Sequence, residues 1–250
     1  MKFVAKSILK TVYPKKPKWS HKGQYGKLLI VSGSERITGA GFLVGMAAFR
    51  AGCDTIYQAG PKRSMDVIAN SYPAFLTLPL DGNQLESSHI PKIWEFMKEM
   101  GITAVEIGNG LWRTRETRKA VIELIKRINL HMVIDADAIR AMKDAKDTLK
   151  EKQALITPHA DEFREITGIR IVDVTSINER AEIVKEQARK LNTVILLKGH
   201  VDIISDGNRT VLNNVNSQLM SKGGFGDTLA GICAALIARK INKVDLFTVA

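Results

Sequence analysis

The residues best suited to chemistry lie in Ser221-Lys222-Gly223-Gly224-Phe225-Gly226-Asp227, which runs directly into an apolar stretch, residues 228–239. Three glycines within four positions let the backbone approach a ligand closely and adopt dihedrals that residues bearing a Cβ resist. The following stretch is helical in length and composition, so the glycines fall at a helix N-terminus. There, free N–H groups and the positive end of the helix dipole favour an anion. Asp227 is then a carboxylate standing where a phosphate would be expected. Two roles are open to it: an N-cap for the helix, or a base held beside a transferring phosphoryl group.

The elements that must position this loop alternate between strand and helix. Strands are expected at 27–31, 55–57, 74–78, 103–107, 131–134, 154–156 and 193–197, with a hairpin of 202–204 and 210–212 around Asp206-Gly207. Helices are expected at 42–51, 90–100, about 114–127 and 177–191, with another carrying Glu162 and Glu165. Several strands are continuous β-branched runs, as in a parallel sheet buried on both faces. The pattern predicts an α/β fold, a mostly parallel central sheet with helices on both faces. No internal repeat, low-complexity tract or linker divides the chain, so one domain over 1–250 is expected, with 1–25 as a basic N-terminal arm. Strand ends carry Gly33, Gly108, Asp135, His159 and Lys198, and the carboxyl edge of such a sheet is where ligands bind. That placement favours an enzyme site.

Composition narrows the function classes. At 45% hydrophobic and 25% charged, the chain reads as an ordinary globular protein. Its apolar stretches are too short for a membrane span, and the basic N-terminus lacks the apolar segment of a signal peptide, so a cytoplasmic location without membrane association is expected. The net charge of +11 invites a nucleic-acid reading, but eight lysines and no acidic residue precede Glu35. The excess is therefore a local arm, expected to be a solvated leader that attracts anionic ligands, and no nucleic-acid partner is expected. Cys53 and Cys233 each fall in an apparent apolar helix without a partner at metal or redox spacing, and read as buried small hydrophobes.

Together these residues resemble the ADP/ATP-dependent NAD(P)H-hydrate dehydratases, a branch of the ribokinase-like superfamily. The resemblance runs from about residue 21 to the end of the chain. It rests on His21-Lys22-Gly23-Gln24-Tyr25-Gly26, Gly33-Ser34 and Gly39-Ala40, then Ile134-Asp135-Ala136-Asp137-Ala138, Thr157-Pro158-His159-Ala160-Asp161-Glu162, Lys198-Gly199 and Gly223-Gly224-Phe225-Gly226-Asp227, all in order. The family implies a lyase acting in metabolite repair. A nucleotide phosphorylates the hydroxyl of hydrated NADH or NADPH, and phosphate then eliminates.

By that resemblance Asp227 is the catalytic base, and Ala40, Gly110, His159 and Asp227 contact the hydrated dinucleotide. Lys198, Gly199, His200, Val201 and Asp202, with Gly224, Phe225 and Gly226, hold the adenosine nucleotide. ADP or ATP is the phosphoryl donor, Mg²⁺ is expected because it neutralises phosphate charge, and a homo-oligomer is expected from relatives of this fold. Structural alternatives stand beside these roles. Ala40 permits helix packing, His159 caps the next helix, Lys198 is a solvated strand end, and Asp135 and Asp137 are caps. Asp161 and Glu162 either position a metal through water or offset a helix dipole.

The chain departs from the family pattern at Phe225, where threonine is usual, and at Gly108-Asn109-Gly110, where the family has glycine-proline-glycine. Trp112 stands in place of a further glycine, and the chain stops soon after the Asp227 helix. The epimerase domain often fused ahead of this fold has no counterpart, so dehydratase activity alone is expected. Two other readings use the same loop: a small-molecule alcohol kinase, and a catalytically weak nucleotide-binding protein.

Overall fold

In the computed structural model, which describes residues 2–215, 217–239 and 244–250, strands and helices alternate as the apolar patterning demands. The strands are β1 Lys2–Phe3, β2 Lys27–Val31, β3 Thr55–Pro61, β4 Leu76–Leu80, β5 Ala104–Ile107, β6 His131–Ile134, β7 Ala154–Ile156, β8 Val194–Leu197, β9 Asp202–Ser205 and β10 Thr210–Asn213. The helices are α1 Ile8–Val12, α2 Ala40–Arg50, α3 Lys62–Ser71, α4 Ile90–Met100, α5 Arg115–Arg127, α6 Ala136–Met142, α7 Lys146–Leu149, α8 Ala160–Thr167, α9 Ile177–Leu191, α10 Phe225–Ala238 and α11 Leu246–Val249. Among the described residues all strands join one sheet in the order β1-β10-β9-β8-β7-β6-β5-β2-β3-β4. Pairing is parallel from β8 through to β4 and antiparallel around β9. The direction first reverses across the turn 198–201 between β8 and β9, and the Asp206-Gly207 hairpin then joins β9 to β10.

Successive side chains of a strand face opposite sides, and β2 shows the consequence. Leu29 and Val31 enter a core with residues of α4, α5, α6, α8 and α9. Leu28 and Ile30 enter a second core with residues of α2, α3, α10 and α11. All four are fully buried, and each such side chain contributes about 1.5–3 kcal/mol. The sheet is thus a rigid floor, and every β-to-α loop of the parallel strands opens on one edge.

Two expectations need correction. The basic arm is not a free leader: β1 lies parallel to β10, with Val4 N–H donating to Leu212 O at 2.8 Å, and Val12 is buried. Its lysines remain solvated while its apolar residues dock, which a count of charge does not reveal. Cys53 lies in the turn after α2 and not within the helix, although it is buried as expected. Burial pushes the Cys53 thiol up to about 11 and the Cys233 thiol up to about 12, so both are inert near neutral pH. The unforeseen α3 follows Pro61, and its charged exterior hides the buried Met65 and Ile68.

Candidate active site

α10 begins where the glycines allow it. Gly224 is the N-cap at φ +93°, a left-handed conformation, and a Cβ there would stand 2.8 Å from Leu43 Cδ1. Asp227 therefore lies in the first turn, three residues past the cap, with no capping hydrogen bond from the side chain of the cap residue. The N-cap reading of Asp227 is thereby corrected: its carboxylate is turned to the sheet edge. Asn109, just past β5, donates from Nδ2 to Asp227 Oδ1 at 2.5 Å and to Asp135 Oδ2 at 3.1 Å. Lys198 Nζ donates to Asp135 Oδ1 at 3.0 Å and lies 3.9 Å from Glu162 Oε2. Gly226 fits beneath this ammonium, since a Cβ there would be 3.4 Å from Lys198 Nζ and 3.9 Å from Asp135 Oδ2.

The electrostatics follow from that crowding. Burial pushes the Asp227 carboxyl above its ordinary value and the neighbouring Asp135 adds to this, while Asn109 and Lys198 pull it back. Glu106 faces the same core as α10, is fully buried, and has no hydrogen-bond partner for either oxygen among the described residues. Burial, then repulsion from Asp135 and Asp227, holds it well above the ordinary carboxylate range.

His159 does cap the next helix. Its Nδ1 accepts from Asp161 N–H at 3.1 Å and Glu162 N–H at 3.5 Å, while Glu162 Oε2 accepts from His159 N–H at 2.9 Å. This reciprocal box leaves the His159 proton on Nε2, 3.2 Å from Glu162 Oε1. Burial raises the Glu162 carboxyl, but the His159 hydrogen bonds and Lys198 outweigh it and hold it below its ordinary value. Arg140 completes the cluster against Glu165 and Glu162.

Asp135 occupies the N-cap position of α6 without a capping bond, its oxygens being committed to Lys198 and Asn109. Asp137 accepts instead from Trp112 N–H at 3.1 Å and Arg113 Nε at 2.9 Å.

The structure brings Asp227, Lys198 and Gly226 together, links His159 to them through Glu162, and sets Gly110 against Ala40. A Cβ on Gly110, at φ +72°, would lie 3.1 Å from Ala40 Cβ. Lys198, Gly199, His200 and Val201 line a cleft of about 210 Å³ with Leu197 and Ile171. Asp202 closes the turn below it by accepting from Gly199 N–H and Asn213 Nδ2, both at 3.0 Å. Phe225, 41% exposed, stands at the lip of the helix start.

Local sequence does not reveal the part played by two residues. Asn109 stands in the sequence as a departure from the family pattern, and the fold makes it the bridge between two carboxylates. Glu106 lies outside the set of strand ends, although an acid inside the apolar run 103–107 is a legible anomaly. Among the described residues no group of three or more His, Cys, Asp or Glu side chains could hold a metal ion, and no helix is long and apolar enough to cross a membrane.

Comparison with known proteins bears on the family and the fold. The profile described as NAD(P)H-hydrate dehydratase matches residues 28–250. The chain is 36% identical over 233 residues to a bifunctional NAD(P)H-hydrate repair enzyme of Pyrobaculum aerophilum, covering 92% of this chain and 45% of the relative. It thus spans about half the length of such bifunctional relatives. It is 32% identical over 245 residues to an ADP-dependent (S)-NAD(P)H-hydrate dehydratase of Cenarchaeum symbiosum, covering 98% of this chain and 84% of that one. The crystal structure of the Bacillus subtilis ADP/ATP-dependent NAD(P)H-hydrate dehydratase, co-crystallised with ATP and Mg²⁺, superposes with a TM-score of 0.78 at 28% identity, covering 99% and 85% of the two chains. The ribokinase-like architecture expected from the sequence is the one observed.

Proposed function

The chain belongs to the NAD(P)H-hydrate dehydratase family, and on that footing we propose that it restores hydrated NADH or NADPH by nucleotide-dependent dehydration. The observation that carries the reading is Asp227 in the first turn of α10, tethered through Asn109 to the Asp135–Lys198 ion pair. Asp227 takes the proton of the ring hydroxyl as that oxygen bonds to the terminal phosphoryl group of the nucleotide and the phosphoanhydride bond breaks. The phosphorylated oxygen then leaves the ring as inorganic phosphate, the adjacent ring carbon gives up a proton to solvent, and the electrons of that C–H bond restore the ring double bond.

The raised Asp227 carboxyl suits this work, because a stronger base is a better proton acceptor once ionised. Free N–H groups at the start of α10 and the Lys198 ammonium would stabilise charge on the phosphoryl group. Lys198, Gly199, His200, Val201, Asp202, Gly224, Phe225 and Gly226 would hold the adenosine nucleotide, supported by the cleft that Lys198 to Val201 line. Ala40, Gly110, His159 and Asp227 would contact the dinucleotide, supported by the contact of Gly110 with Ala40 beside Asn109.

Mg²⁺, when bound, neutralises phosphate charge. The donor set suits an ion that keeps its waters and is carried on the phosphates, because no protein cage is present among the described residues. Glu162 is committed to His159 and Lys198, and solvent-exposed Asp161, paired with Arg164 at 3.4 Å, is the carboxylate that would hold such an ion through water. Assembly as a homo-oligomer belongs to the same reading and is checked by light scattering.

The decisive experiment is recovery of absorbance at the NADH band from hydrated NADH, with Mg²⁺ and either ADP or ATP. ADP, named in the archaeal relative, comes first. Recovery requires nucleotide, and Asp227→Asn lowers kcat by roughly 10²–10⁴-fold without changing the unfolding midpoint. A folded protein that binds ADP and ATP but yields no recovery would overturn the proposal.

A further inference from the structure

Trp112 is a large aromatic side chain in a conformation that aromatic residues avoid. Its φ is +73°, in the left-handed region where bulky residues are outliers, and its side chain is 39% exposed. A strained, exposed residue persists only when its surroundings hold it there, and such strain gathers at ligand sites. Here the hold is visible. Asp137 accepts from Trp112 N–H through one oxygen and from Arg113 Nε through the other. The Arg36 guanidinium carbon lies 5.0 Å from the centroid of the indole ring, and no carboxylate pairs with Arg36 among the described residues. Beside the indole a small cleft is lined by Arg113, Arg118 and Arg140.

Those three are held by Asp137, Asp144 and Glu165, so the surface combines an aromatic plane with one guanidinium, that of Arg36, left to meet an anion. That pairing recognises a planar base carrying phosphate: the ring stacks on the base, and arginine meets the charge. Its position is informative. Trp112 lies three residues after Asn109, which holds Asp227, so the chain places it within about 10 Å of that neighbour. Gly110, between them, packs on Ile37 and Ala40, next to Arg36.

We propose that Trp112 and Arg36 form the platform for the adenosine half of the hydrated dinucleotide, the base stacking on the indole while Arg36 engages phosphate. The assignment rests on the reaction proposed above, in which the nicotinamide half lies at Asp227.

The test uses Trp112→Gly, which removes the ring and suits the local φ, with Trp112→Phe and Arg36→Ala beside it. Base stacking predicts that Trp112→Gly raises KM for hydrated NADH by roughly 5- to 100-fold. KM for ADP stays within about twofold and the unfolding midpoint is unchanged or higher, because strain has been relieved. Trp112→Phe restores most of the affinity, and Arg36→Ala raises the same KM alone. Tryptophan fluorescence gives a readout independent of turnover: NADP⁺ quenches the wild-type emission, and the quench is lost in Trp112→Gly. An unchanged dinucleotide KM, an equal rise for ADP, or a lowered unfolding midpoint in Trp112→Gly would overturn the assignment. Absence of turnover in the wild type, with the NADP⁺ quench intact, would count against the proposed reaction and leave the platform standing.

Discussion

Asp227 sits under opposed influences, and the balance at one side chain sets how the site responds to pH. Burial and Asp135 push its carboxyl up, while the 2.5 Å hydrogen bond from Asn109 and the charge of Lys198 bring it down. Asn109→Ala removes one lowering influence, so the carboxyl rises further. A base works only when ionised, so the acidic limb of the kcat/KM profile moves to higher pH, and activity at pH 6 falls more than at pH 8. Matched profiles of the two proteins check this, and a limb left in place would mean that Asn109 only fills space. Glu106 gives the complementary case. Its folded carboxyl is raised well above the ordinary range, so above that range the native protein holds a proton that the unfolded chain has released. Stability then falls as pH rises from the ordinary carboxylate range toward the raised value. Glu106→Gln abolishes this loss. Its unfolding midpoint, compared with that of wild type between pH 4.5 and 8, shows a gap in the variant's favour that widens with pH.

At the scale of elements, α10 is held by its crossing with α2, and that crossing depends on Gly231. A Cβ there would lie 2.3 Å from the Val44 carbonyl oxygen and 2.9 Å from Ala47 Cβ. Gly231→Ala favours an isolated helix by about 1 kcal/mol. The clash is with backbone, which cannot rotate away, and overpacking of this kind costs about 1–3 kcal/mol. Packing wins, so the variant is less stable in urea denaturation and shifts the start of α10 that carries Asp227.

Periodicity announced these elements and concealed others. The runs of β2, β6, β7, α4 and α9 were legible to the residue because strands buried on both faces read as short continuous apolar runs, while amphipathic helices repeat every 3.6 residues. α3 was not, because its buried Met65 and Ile68 are set among lysine, arginine and aspartate after a proline. The site was legible as a set of strand ends and a glycine loop. Which carboxylate Asn109 bridges, and that Glu106 shares their core, are facts of long-range contact that no local pattern encodes.

For the molecule as a whole, the N-terminal arm is tied to the sheet by a buried charge at the far end of α10. Arg239 is 7% exposed, donates from Nη1 to Val12 O at 2.7 Å and from Nη2 to Ala51 O, and stacks 4.6 Å from the centroid of the Tyr13 ring. One side chain thus joins the arm, the turn after α2 and the end of α10. Asp54 adds a second tie through the N–H groups of Gly23 and Tyr25, at 2.9 and 2.8 Å. Charge-assisted bonds to buried carbonyls contribute about 1.5–3 kcal/mol each, and removing the guanidinium loses both at once. Arg239→Ala is therefore expected to cost about 3 kcal/mol and to free the arm before the rest of the fold opens. Its exposed lysines make that release readable, because trypsin cuts a chain only where the backbone can detach. Limited proteolysis at a temperature well below unfolding should cleave the variant first between Lys10 and Lys22, and much faster than wild type. If instead both proteins are cut there at one rate, Arg239 does not hold the arm to the sheet.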